Sequence, residues 1–468
     1  MSKSAAILFV HNEVDTIGWW LAHHATIGFS TLIVCDDHST DGTLTALSNA
    51  ATLYDIRVQS ADTTLSTRLE RQTRFHENAL AQGHDEFDWM MILAADEYLH
   101  FETARSVAEF TANAPGTTIP VNWCLFGSSG RLTPSAFSPV ETFIRHGLLS
   151  LPDHRVVRHL VQPRSLDTGL PDPFSALDRN AVWDEARILH FAASDRESFF
   201  KRDSSATPEQ AWKNFDRNDA EYDGANRWLP GSRRIASFLT QASLTDLYWR
   251  LKAVMTHADK STLQKLGLTP DQLSVSSSSR SQPQFRFCTL GATQRLMLDM
   301  QTGSLVPVGE TDTNFGRYNP LIMALEVSDT DIWNACLFVE NPLPGRYLSL
   351  AGSPTLLPMV PLHIKIAENT VQSPVSGDDI HIAIPDHALT EIDATISLYS
   401  RMTSFMVLTA EGHNLAGLLR GIERLPAADA SALGCAVAML PFEEAERLSD
   451  AFPGVVPRNV RSARPPQA

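Results

Sequence analysis

Two apolar runs in this sequence break off into carboxylates, and that pairing of residue types can hold a ribose, a base or a metal ion. The first, Thr31-Leu32-Ile33-Val34-Cys35, leads into Asp36-Asp37-His38-Ser39-Thr40-Asp41-Gly42-Thr43; the second, Trp89-Met90-Met91-Ile92-Leu93, leads through Ala94 and Ala95 into Asp96-Glu97-Tyr98. A short apolar run ending in carboxylates, hydroxyls and glycine reads as a buried strand leaving a sheet at its carboxyl edge. In open α/β sheets ligands gather beyond that edge. The first motif therefore points to nucleotide chemistry.

The elements that must position these groups are legible around them. An apolar strand over 5–10 closes on Val10-His11-Asn12-Glu13, and a helix over 15–28 follows with Trp19, Trp20, Leu21, His24 and Ile27 on and around its apolar face. Strand, helix, strand, acidic turn and helix thus succeed one another from the amino terminus. A further helix over 67–81 carries Arg68, Arg71, Gln72 and Arg74. Arginine's planar fork suits phosphate oxygens, while a solvated helical face explains the same charges without a ligand.

In this order the chain resembles the family 2-like glycosyltransferases that border family 92. The residues that carry the resemblance are His11-Asn12-Glu13, Trp20 with His24, the turn over 37–43, Arg71-Gln72 with His76, and Asp96-Glu97-Tyr98 in place of a metal-binding Asp-x-Asp-Glu-Phe motif. They continue with Asn122-Trp123, the loop Phe126-Gly127-Ser128-Ser129-Gly130, Val140-Glu141-x-Phe143, and His190-Phe191 with Ser194, Phe199 and Lys201. The matched stretch is a little under half of the chain. It implies an α/β domain of the GT-A type that binds a nucleotide diphosphate sugar as donor, with a divalent cation, manganese or magnesium, at the diphosphate.

The resemblance also implies roles. Asn12 and Glu13 fall where the family contacts the nucleoside, although Glu13 also suits a capping arrangement. Asp37 is assigned to the base or ribose, and Asp41 either assists or caps the helix that follows. Gln72 faces the donor, and Asp96 is the cation ligand, with His190 completing the shell or else packing in the sheet as a locally bonded histidine. A cation there would neutralise charge on the departing diphosphate. The family's second aspartate is replaced here by Ala94. Glu141 is the expected general base for an inverting transfer, with Glu97 as second candidate. Trp123 and Phe126 could stack on an acceptor sugar, or belong to the core.

Composition fits this reading. A chain of 468 residues exceeds one ordinary core, so two domains are expected. The net charge of −16 argues against nucleic acid as a partner. Cys35, Cys124, Cys288, Cys336 and Cys435 form an odd, scattered set, as expected for thiols of a reducing compartment. The apolar run at the amino terminus is short for a signal peptide, and no run is long enough for a membrane span. The expectation is a cytoplasmic protein, with peripheral membrane association left open.

The expected organisation is a nucleotide-sugar domain over 1–233, a helical bridge over 234–273 with a helix from about Ile235, and a Ser-rich linker over 274–283. A mainly β accessory domain over 284–426 follows, in which four apolar stretches near Leu296, Tyr347, His381 and Phe405 hint at a repeat. Residues 427–452 read as helical and 453–468 as disordered. The function expected is hexose transfer to a carbohydrate acceptor. Its alternative is a non-catalytic nucleotide-sugar or carbohydrate-binding protein of polysaccharide assembly.

Overall fold

The computed structural model describes residues 2–112, 114, 116–135, 137–166, 181–202, 207–273 and 396–461, together with the backbone of ten strands between 284 and 391. Two compact units divide the chain, Met1–Ala236 and Ser237–Ala468.

The first unit is a mixed α/β layer structure. Its elements run β1 (Ser4–Val10), α1 (Ile17–Thr26), β2 (Thr31–Asp36), α2 (Thr43–Ala51), β3 (Ile56–Ser60), α3 (Arg68–Gly83), β4 (Trp89–Leu93), β5 (Glu97–Phe101), α4 (Val107–Thr111), β6 (Thr118–Leu125), α5 (Pro139–Thr142), β7 (Arg145–His146), β8 (Val157–Val161), β9 (Ala186–His190), α6 (Arg196–Arg202), α7 (Pro208–Phe215) and β10 (Ala220–Glu221). Eight of these strands form one sheet in the order β3-β2-β1-β4-β8-β6-β9-β5. The β3-β2-β1-β4 half is parallel, joined by helical crossovers, so β1, β2 and β4 present their carboxyl ends at one edge. β1, β2 and β4 are near-continuous apolar runs because helices cover the sheet, whereas β3, at the sheet's edge, is largely polar and exposed. Ala5, Ile7 and Phe9 of β1 pack with Phe75, Ala79 and Leu80 of α3 on one face.

Two later strands return to the edge where β4 ends. β8 pairs antiparallel with β4, and β9 pairs antiparallel with β5 in the register Glu97↔His190 and parallel with β6 in the register Trp123↔Ile188. Residues distant in sequence are thereby set side by side.

The second unit departs from the expected β module. Its ten strands are β11 (Gln284–Phe287), β12 (Thr289–Leu290), β13 (Gln294–Asp299), β14 (Leu305–Gly309), β15 (Tyr318–Glu326), β16 (Ile332–Val339), β17 (Met359–Lys365), β18 (Thr370–Gln372), β19 (Asp379–Ile380) and β20 (Thr390–Glu391), all in one antiparallel sheet. The helices are α8 (Leu229–His257), which starts earlier than the expected Ile235 and crosses the boundary between the units, α9 (Lys260–Lys265), α10 (Ile396–Thr409), α11 (Leu415–Arg424), α12 (Ala430–Ala438) and α13 (Phe442–Ala451). Phe405 to Leu408, expected as a strand, lie in α10. All four are buried in a helical core with Leu247, Leu251, Leu418, Leu433 and Leu448. Val455, Val456 and Val460 also belong to that core, so the expected disorder does not begin at 453. The Ser-rich stretch 274–283, the stretch near Tyr347, and residues 462–468 lie outside the described residues.

Candidate functional site

The acidic turn after β2 is a tightly bonded lock. Asp41 accepts from the Val14 amide at 3.0 Å and from the Thr43 amide and hydroxyl at 2.9 and 2.6 Å, while Thr43 in turn accepts from the Glu13 amide at 2.8 Å. Gly42 precedes α2 at φ +98°, a conformation glycine takes without steric cost. Asn12 and His38, both at φ +56°, hold the ends of β1 and β2 in the left-handed region. Such conformations in non-glycine residues gather where surrounding bonds over-determine them. Here Asn12 donates its amide to Ser39 and accepts from the Thr40 amide through its side chain.

Asp37 is engaged by Arg71 of α3 through a fork of two bonds, Nε to Oδ1 at 2.5 Å and Nη2 to Oδ2 at 3.0 Å. That guanidinium holds its carboxyl below the ordinary value. His11 Nδ1 bonds the Asp37 carbonyl at 2.7 Å, tying β1 to β2 at the same point.

Beside this lock a cavity of 320 Å³ opens at the carboxyl ends of β1 and β4. One wall is β1 and its exit, from Phe9 to His11 with Glu13. A second is α3, which contributes Arg68, Gln72 and His76, and a third is β4 and the turn after it, from Ile92 to Glu97. Trp123, Arg158 and His190, from β6, β8 and β9, close it.

The turn at 94–97 is clamped from several sides. Trp20 Nε1 donates to the carbonyls of Ala94 and Glu97 at 3.0 and 3.1 Å, and Phe191 donates its amide to the Asp96 carbonyl at 2.9 Å. His24, a turn beyond Trp20, lies tilted against its ring with centroids 4.1 Å apart and bonds its carbonyl. The Trp-x-x-x-His pattern thus positions the turn. Glu97 is fully buried and its carboxylate is spoken for: Arg158 Nε lies 2.8 Å from both oxygens, Trp123 Nε1 donates to one at 2.7 Å, and the Ala94 amide to the other at 2.7 Å. Removing one member of such a buried pair leaves an uncompensated charge.

Asp96 projects toward the opening, and the Glu97↔His190 register brings His190 Nε2 to 3.5 Å from its carboxylate. Burial opposes a charged His190 ring, but Asp96, by charge and hydrogen bond, and Glu97 outweigh it and raise its pKa. Trp123 lies against His190 with centroids 4.1 Å apart. His76 differs: burial, with Arg158 adding to it, pushes its pKa down to about 4, and its Nε2 is covered without a hydrogen-bond partner.

The expected site residues therefore divide. Glu13, Gln72, Asp96, Glu97, Trp123 and His190 meet at the cavity; Asn12, Asp37 and Asp41 do not line it and instead brace the turn beside it. Phe126, expected as a sugar platform, is 1 % exposed and packs against His146 and Phe191, because it lies in the interior at the end of β6. Glu141, expected as base, is also off the cavity. It is buried in an ion pair with Arg233, and burial raises its pKa despite that partner. Glu97, the second candidate, has no oxygen left for an acceptor proton and acts instead to hold the turn. Arg158 was singled out by no motif. Its one signal is a charged residue inside the apolar run Val156-Val157-Arg158-His159-Leu160-Val161.

A divalent ion beside the 94–97 turn would find the Asp96 carboxylate and the His190 imidazole; Ala94 offers no ligand, Glu97 is committed to Arg158, and Glu13, on the cavity's β1 wall, accepts from the Thr16 hydroxyl. This set fits a hard ion that takes its remaining ligands from phosphate oxygens and water. Among the described residues no three acidic, histidine or cysteine side chains cluster as a metal site.

No family model matches this chain, and no curated protein sequence matches it. Among solved structures it is similar to S. aureus TarS 1-349, at 17 % identity and TM-score 0.26, covering 51 % of this chain and 65 % of that one. The same TarS fragment in complex with UDP matches at 14 % identity and TM-score 0.26, covering 58 % and 76 %. TarS without that truncation matches at 12 % identity and TM-score 0.25, covering 84 % and 86 %. The chain thus spans a little under two thirds of the length of the first of these. Likeness at this TM-score says nothing of this chain's ligands.

Proposed function

We propose that the first unit is a GT-A type domain that binds a nucleotide diphosphate sugar and transfers its hexose to a carbohydrate acceptor. The observation that carries this reading is the convergence at one sheet edge of Glu13, Gln72, Asp96, Trp123 and His190, drawn from five separate segments, around a cavity of 320 Å³. A cavity of that size with a few polar groups and an aromatic wall suits a small-molecule ligand.

In this reading the Asp37–Arg71 fork and His11 fix the edge on which the nucleoside lies, and Arg68, exposed at the opening, meets the diphosphate. Asp96 and His190 would hold a magnesium or manganese ion, which supplies Lewis-acid neutralisation of the leaving diphosphate. Trp20, Glu97 and Arg158 keep the 94–97 turn fixed so that Asp96 keeps its direction, and Trp123 offers its ring to the sugar. Fixed charges and dipoles of this kind act without reorganising during the reaction.

The test is release of nucleoside diphosphate from UDP- and GDP-hexoses, with and without manganese, by wild type and by Asp96→Ala. Metal-stimulated release that falls at least about a hundredfold in the variant supports transfer. Ala94 in place of the second carboxylate favours one other reading, a non-catalytic binder, which predicts nucleotide binding with no release in either protein.

A further inference from the structure

Three histidines of the first unit, His24, His100 and His154, are buried and are neutral by geometry. His24 of α1 donates from Nδ1 to the Trp20 carbonyl at 2.9 Å and accepts at Nε2 from the Leu99 amide of β5 at 3.4 Å. His100 of β5 accepts at Nδ1 from the Trp228 indole at 3.0 Å, which leaves Nε2 to carry its proton toward the Tyr222 hydroxyl at 2.7 Å. His154 accepts at Nε2 from the Leu125 amide at 3.0 Å. Backbone amides and the indole nitrogen can only donate. A second proton on any of these rings would set N–H against N–H and break the bond.

The three bonds hold strands that flank the candidate site. β5 and β6 lie on either side of β9, and both reach His190, in the registers Glu97↔His190 and Leu125↔His190. His24 ties β5 to α1, His100 ties β5 to the segment 222–228, and His154 ties the end of β6 to the 3₁₀ turn Pro152–Arg155.

Nothing around these rings makes a charge welcome. Burial is the largest cause in each case, pushing His24 well below the ordinary value, His100 down to about 3 and His154 down to about 4. His23, itself pushed down to about 4 by burial, lies beside His24 with centroids 5.2 Å apart and opposes charge on both His24 and His100. Only the Trp20 carbonyl favours charge on His24, and the Tyr98 ring beside it is a buried phenol whose pKa burial raises. Arg187 and Arg227 oppose charge on His100; Glu102 faces its Nε2 at 3.7 Å but is held by Arg187 at 2.5 Å and by the Tyr222 hydroxyl. Beside His154, His146 opposes a charge, and Asp153 with the Leu148 and Leu149 carbonyls favours it without outweighing burial.

We propose that His24, His100 and His154 form an acid-opened latch: protonated together, they release β5 and the end of β6, and the sheet edge that builds the cavity comes apart in one cooperative step. The latch is independent of what the cavity binds. Because the folded-state pKa values lie below those of the unfolded chain, the stability these groups contribute is full above about pH 6.5 and is lost as pH falls toward about 4.

The experiment is nitrogen NMR of the full chain labelled with nitrogen-15 histidine, followed from about pH 7.5 to about pH 4, with signals assigned by single histidine substitutions. In the closed protein the proton should sit on Nδ1 of His24 and His154 and on Nε2 of His100. On acidification these neutral-ring signals should hold their positions and then give way together to those of charged rings, in a transition that takes up at least about three protons. His100→Phe keeps a ring and removes both nitrogens, and its transition should take up about one proton fewer. Thermal melts at neutral pH report whether that variant is folded, and if it is not, the wild-type spectra decide. Gradual titration of any of the three in the closed protein, a different tautomer at any of them, a transition of about one proton or none, or unchanged steepness in a folded His100→Phe would overturn the assignment.

Discussion

At the scale of single residues, the cavity is defined by side chains whose charges are already matched and a few whose charges are not. Glu97 and Arg158 are the matched pair, 0 % and 3 % exposed. Glu97→Ala removes the carboxylate that balances the buried Arg158 guanidinium, and urea denaturation should show a loss of about 3–5 kcal/mol. Asp37 and Arg71 form the second pair, and its pH dependence has a definite sign. Because the folded-state pKa of Asp37 is depressed, the stability it contributes is present above the ordinary carboxylate range and is lost as pH falls through the folded value. Asp37→Asn should therefore be less stable than wild type at pH 7, by about 2 kcal/mol, with the difference fading toward pH 3 in denaturation curves taken across that window. The sequence pointed to Asp96, Glu13, Gln72 and His190 because each closes an apolar run or sits in a motif. It could not show that Asp37 and Glu97 face cations from distant segments, nor that Phe126 turns inward while Trp123, three residues earlier, reaches the cavity.

At the scale of elements, α3 is the piece on which the donor wall depends. Its start is fixed by a capping box in which Thr67 accepts from the Glu70 amide at 3.2 Å and Glu70 from the Thr67 amide at 2.9 Å. Thr67→Ala should cost about 1 kcal/mol in equilibrium unfolding. Gly42→Ala, at φ +98° ahead of α2, should also destabilise by about 1 kcal/mol, read in the same way. The glycine stood out in the sequence as part of the polar turn over 37–43, whereas the Thr67-x-x-Glu70 cap was not singled out there. The run Phe405-Met406-Val407-Leu408 was not readable in the same manner. Four consecutive apolar residues satisfy a buried strand and a buried helix equally, and only the helical core around them decides for α10. Arg158 was hidden for a related reason, since the β4–β8 pairing that delivers it to the site leaves no local mark.

At the scale of the whole molecule, the chain is strongly acidic, at −16, so any anionic ligand must be met by a local arrangement rather than by the overall field. Among the described residues, the cavity edge with Arg68 at its rim offers such an arrangement. Among the described residues no helix is long and apolar enough to cross a membrane. A nucleotide that binds the folded chain at a hundred times its dissociation constant should add about 2.7 kcal/mol of stability, and with manganese present it should raise the denaturation midpoint of wild type more than that of Asp96→Ala. The measurement that bears most directly on the central claim is calorimetric titration of wild type and Asp96→Ala with UDP and GDP, each with and without manganese. The account predicts that one nucleotide binds, more tightly with the ion, and that the variant loses the gain. Absence of binding of both nucleotides to wild type under every condition would contradict it.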